Sequence, residues 1–132
     1  MRRRGKQLGF TLIELMIVIS IMLILLSIAI PNYNRAIISS KEAVLADNLF
    51  TMRSGIDQFT FDKHRAPQSL EDLVTAGYLR QIPKDPITNS ADTWQVVQED
   101  VMSSVDQQQP GITDVKSGAE GNSADGRPYS EF

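Results

Sequence analysis

An apolar run from Phe10 to Ile30, FTLIELMIVISIMLILLSIAI, dominates this chain, and only Thr11, Glu14, Ser20 and Ser27 interrupt it. As a helix these 21 residues reach about 31 Å at ~1.5 Å per residue. That is enough to cross a hydrocarbon core of roughly 30 Å. The overall composition, 42% hydrophobic and 22% charged, hides this concentration of apolar residues near the N-terminus. Charge is divided just as unevenly. Arg2, Arg3, Arg4 and Lys6 lie in the first nine residues without an acid. Taking these four from the 13 basic residues leaves nine against all 16 acids, so the remainder carries −7. The positive-inside tendency places the basic leader in the cytoplasm and the rest of the chain outside.

Three readings of the run compete. A secretory signal peptide fits the basic start and the small residues at Ser27-Ile28-Ala29. Its apolar region is ordinarily only ~7–15 residues, however, and an ionisable Glu14 is foreign to it. A simple one-pass anchor fits the length. The third reading starts from Glu14 itself. A carboxylate in hydrocarbon costs several kcal/mol unless it is paired or protonated. No Lys, Arg or His lies between Phe10 and Asn34, so a partner comes from another chain, from solvent or from a new charge. Cutting between Gly9 and Phe10 would create one, an α-amine four residues from Glu14 and on the same helical face.

The residues Lys6-Gln7-Leu8-Gly9, then Phe10-Thr11-Leu12-Ile13-Glu14-Leu15 and a continuous apolar stretch, resemble the type IV pilin and type II secretion pseudopilin superfamily. The resemblance implies that a prepilin peptidase cuts after Gly9 and methylates the new N-terminus at Phe10. It also implies a helix that loosens at Pro31 when subunits assemble. Proline itself removes a backbone donor and clashes with the preceding turn.

Beyond Pro31 the pattern stays helical to about Phe61. Ile38, Leu45, Leu49, Met52, Ile56 and Phe59 form one stripe on a 3.6-residue period. Lys41, Glu42, Asp47, Asn48, Arg53 and Asp57 lie between the stripe positions, so one face is covered and the other solvated. A helix from Phe10 to Phe61 is roughly 75–80 Å long, more than the residues after it can bury. Its first half is therefore covered by membrane or by copies of itself.

The remaining residues read as a small head. Ser69-Leu70-Glu71-Asp72 is a helix start with Ser69 as cap, and Gly77 a stop, giving a helix over 70–76 with Leu70, Leu73 and Val74 facing the core. Thr93–Val97 has strand composition, and Ile112–Val115 after Pro110-Gly111 is a second strand. Paired antiparallel on the amphipathic stripe, they give an α+β, pilin-like fold. The division is a leader at 1–9, a transmembrane or filament-core helix at 10–30 and a periplasmic head at 31–132. Ser-Leu-Glu-Asp-Leu, Gly-Tyr-Leu and Ile82-Pro83-Lys84-Asp85-Pro86 are similar to the G-type major pseudopilins, although Ile87-Thr88 stands where typical members have Trp-Gly. The absence of cysteine favours this group over type IV pilins, which more often close a C-terminal loop with a disulfide.

The G-type resemblance also implies a calcium site in the C-terminal loop, with Asp114, Ser117, Glu120 and Asp125 as donors. Calcium takes 6–8 oxygens, and this glycine-rich acidic stretch can offer carboxylates and carbonyls. The competing reading is a turn capped against the core by Tyr129 and Phe132. Lys116 excludes an EF-hand, since it holds the third loop position. His64 reads as solvated surface, Trp94 as core, and Asp85 and Asp92 as turn residues. No nucleophile–base pair and no phosphate-binding glycine spacing is present, which argues against an enzyme, and the net charge of −3 argues against a nucleic-acid partner. The resemblance thus implies a structural subunit of a type II secretion pseudopilus. Its partners would be other copies, minor pseudopilins, an inner-membrane assembly platform and the prepilin peptidase. The alternative is a type IV pilin for adhesion, motility or DNA uptake.

Overall fold

The computed structural model describes residues 9–99 and 110–132. The basic leader before Gly9 and most of the polar connection between the two strands lie outside the described residues. Elements follow the order α1 (Leu12–Lys63), α2 (Leu70–Thr75), β1 (Gln95–Glu99), β2 (Gly111–Lys116) and a short 3-10 turn at Tyr129–Glu131. The chain divides into two units at the Ala36–Ile37 step.

Of the described residues in the first unit, those from Leu12 on are all helical. Every residue from Phe10 to Ala36 is exposed, and within α1 an 18-residue window of mean hydropathy 2.9 has no part buried. Ser20 and Ser27 donate their hydroxyls to the carbonyls of Met16 and Ile24, each at 2.7 Å, so neither offers an unpaired polar group to lipid. The helix continues through Pro31. Proline removes one donor, the amide that would otherwise reach the Ser27 carbonyl.

In the second unit the expected stripe is the core. Leu45, Leu49, Met52, Ile56 and Phe59 are buried, and with them pack Leu70, Leu73 and Leu79, Trp94, and Ile112 and Val115 of β2. Ile38 stays exposed, so the covered part of the stripe begins at Leu45. Helix α2 has both ends specified by sequence. Ser69 Oγ accepts the Asp72 amide at 3.3 Å, and the Asp72 carboxylate accepts the Ser69 amide at 3.2 Å. At the other end the Tyr78 amide reaches the Leu73 carbonyl and the Gly77 amide the Val74 carbonyl. Gly77 takes φ of 86°, the left-handed conformation this stop requires.

The two strands pair antiparallel, Gln95 opposite Lys116 through Glu99 opposite Gly111, with a bulge between Val97 and Gln98. Strand β1 starts two residues later than its composition suggests. Trp94 turns into the core instead and donates its indole N–H to the Pro83 carbonyl at 2.8 Å. The chain passes so close at Gly118 that a side-chain carbon there would overlap the Thr93 carbonyl oxygen. Gly118→Ala is expected to lower head stability by about 1–3 kcal/mol through overpacking, read as a lower melting temperature. Gly121→Ser is not a suitable control, since Gly121 has φ of 99°.

Candidate functional site

Two places carry the chemistry singled out above: the head of α1 and the loop after β2. At the first, Gly9 and Phe10 precede the helix and are exposed, Phe10 at 87%, and among the described residues nothing stands within 4 Å of the Cβ position at Gly9. Thr11 caps the helix. Its Oγ1 accepts the Glu14 amide at 3.2 Å, and its carbonyl accepts the Leu15 amide at 3.2 Å. Glu14 thus occupies the third helical position of a Thr-x-x-Glu start, where the helix dipole favours a negative charge. This local role was readable in the spacing of Thr11 and Glu14. Among the described residues no cation pairs with the Glu14 carboxylate.

The loop after β2 is fastened to the head by three polar clasps. The first centres on Arg53 of α1. Its Nε donates to Asp114 Oδ1 at 2.7 Å, and its Nη2 donates to the main-chain oxygens of Val115 at 2.9 Å and Phe132 at 2.6 Å. The second centres on Asp85, which is 0% exposed. Its Oδ1 accepts the amides of Ile87 at 2.8 Å and Thr88 at 3.4 Å, and its Oδ2 accepts the Ser117 hydroxyl. Asp85 is more than the turn residue its sequence neighbours imply. The third is Glu42, whose Oε1 accepts the Ala124 amide at 2.7 Å and the Tyr129 hydroxyl at 3.2 Å. Burial, then the hydrogen bond to Glu42 and its charge, raises the Tyr129 pKa above the usual phenol value.

Two of the residues expected to hold calcium are engaged by other groups and two face solvent. Asp114 Oδ1 is taken by Arg53 and by the Val115 amide at 2.7 Å. Ser117 is buried, giving its hydrogen to Asp85 and accepting the Ala119 amide at 3.1 Å. Glu120 and Asp125 are exposed. Among the described residues no group of three or more His, Asp or Glu could hold a metal. Tyr129 is buried and lies 5.8 Å from the Phe132 ring, which packs on the core. His64 is exposed, as expected, and ends α1 with a φ of 54°.

Comparison with known proteins places these features. Residues 4–30 match the prokaryotic N-terminal methylation motif. The chain is 34% identical over 107 residues to the type II secretion system core protein G of Escherichia coli (strain K12), covering 67% of this chain and 72% of that one. The chain belongs to the type II secretion core protein G family. The Vibrio cholerae core protein G is 33% identical over 67% of this chain and 71% of its own. That of Klebsiella michiganensis is 33% identical over 64% of this chain and 70% of its own. No solved structure matches significantly. The methylation motif alone fits either kind of pilin-like subunit, whereas these relatives belong to secretion systems. This G-type pseudopilin is accordingly a pseudopilus subunit of type II secretion, which sets aside the signal-peptide, simple-anchor and type IV pilin readings.

Proposed function

We propose that this pseudopilin works mechanically, by polymerising through α1 into a periplasmic filament whose growth helps move folded proteins outward. The observation that carries this reading is the exposed apolar first part of α1, with no part of its 18-residue window buried, in a stretch (residues 10–30) that holds one acid and no base. In the inner membrane lipid covers that surface, with the leader cytoplasmic and the head periplasmic. In the filament neighbouring helices cover it. The prepilin peptidase cuts at Gly9, and the Phe10 amine it releases pairs with Glu14 of an adjacent copy. N-methylation leaves that amine cationic. Pro31, with its missing donor, lets the helix yield as copies pack. Minor pseudopilins and an inner-membrane platform nucleate and drive assembly, and the energy comes from that machinery. The work asks for no catalysis by the chain itself.

Mass spectrometry of the chain purified from membranes tests the processing step. The expected N-terminus is N-methyl-Phe10, with residues 1–9 removed. A chain that retains Met1 yet still enters filaments would overturn the reading.

A further inference from the structure

We propose that this head dispenses with calcium, and that the Arg53 guanidinium is the built-in cation that organises the loop after β2. The inference concerns how the head is held together and does not depend on how filaments assemble.

Calcium gathers carboxylate and backbone carbonyl oxygens from a flexible loop into one shell of 6–8 ligands. In this chain Arg53 gathers that same mixture. One side-chain carboxylate, Asp114, and the main-chain oxygens of Val115 and Phe132 converge on its Nε and Nη2 within 2.6–2.9 Å. These acceptors come from β2, just before the loop, and from the loop's far end, 61 and 79 residues from Arg53 in sequence, so one side chain ties β2 and the Phe132 end to α1. A guanidinium suits this work because its rigid fork carries five donors and stays charged at every working pH.

The same geometry opposes a divalent cation. An ion on Asp114 would sit beside a guanidinium already 2.7 Å from that carboxylate, and the two like charges repel. The other expected donors are no freer. Ser117 is buried against Asp85, and the exposed Glu120 and Asp125 bring no third acid with them. The loop between Arg53's two anchor points is held by protein groups as well: Ser117 by Asp85, and Ala124 and Tyr129 by Glu42. A chain of protein donors and acceptors thus spans the whole segment that an ion would otherwise order.

The test uses the full chain in detergent micelles, with calcium chloride at about 10 mM, above the dissociation constants of extracellular calcium modules, or with excess EDTA. A filled native-state site would raise the melting temperature by several degrees. The expected result is no difference between the two conditions, either in melting or in hydrogen exchange of residues 111–132. Arg53→Met is expected to speed exchange of those amides about tenfold or more, equally with and without calcium, and Arg53→Lys to recover part of the protection. Calcium-dependent melting or exchange of the wild-type chain would overturn the proposal. Undiminished protection in Arg53→Met would do so too. Should Arg53→Met fail to fold, the wild-type comparison still decides.

Discussion

Glu14→Leu is expected to leave membrane insertion intact and reduce filaments to background. Insertion survives because the change removes the one ionisable group from an otherwise apolar span, and leucine is favourable at the centre of a membrane helix. On the pairing proposed above, assembly fails because the Phe10 amine of the neighbouring copy would be left buried without its partner. Breaking a buried pair costs about 3–5 kcal/mol. Each 1.4 kcal/mol is about tenfold in an equilibrium constant, so the equilibrium for adding each subunit falls more than about a hundredfold. Normal registers lose their distinction as well, since it is the unpaired carboxylate that penalises wrong ones. The local role of Glu14 at the helix start must be separated from this pairing. Thr11→Val removes the hydroxyl that caps the Glu14 amide, at a cost of about 1 kcal/mol, and leaves both charges in place. Filaments are expected from Thr11→Val and not from Glu14→Leu. Wild-type filament yield from Glu14→Leu, with the chain shown to be processed and inserted, would remove the ion pair from the mechanism.

What could be read from the sequence was whatever a local period or spacing encodes. The buried stripe of α1 was legible because Leu45, Leu49, Met52, Ile56 and Phe59 repeat at the helical period, and both ends of α2 because Ser69, Asp72 and Gly77 act within a few residues of themselves. The partner of a polar residue on the other faces was not legible. Arg53 reads as part of a solvated face, yet it meets Asp114 across 61 residues. Strand β1 was displaced for a similar reason: the composition of Thr93 and Trp94 suits a strand, but the Trp94 indole finds the Pro83 carbonyl instead. The partners of the loop's acids were equally out of reach of the sequence: Asp114 is met by Arg53 of α1, which no local spacing encodes.

Asp85 is the position where that gap has the largest consequence for stability. Asp85→Ala is expected to destabilise the head by about 3–5 kcal/mol, because it leaves one buried hydroxyl and two half-buried amides without acceptors and each unsatisfied group costs about 1–3 kcal/mol. The donors are the Ile87 and Thr88 amides and the Ser117 hydroxyl, itself 0% exposed. The 85–90 turn, closed by the Asp85 amide on the Ser90 carbonyl at 2.9 Å, would also lose its link to the loop after β2. In a head of this size 1 kcal/mol shifts the melting temperature by about 4–8 °C, so the loss reads as roughly 12 °C or more. Asp85→Asn is expected to fall between, since its carbonyl oxygen still accepts the two amides while its NH2 faces Ser117 as a second donor. Asp92→Ala, at an exposed turn position in the same segment, is expected to stay within about 0.5 kcal/mol of wild type. If Asp85→Ala melted with Asp92→Ala, the buried carboxylate would be a passive turn residue, and the fastening of the loop would rest on Arg53 and Glu42 alone.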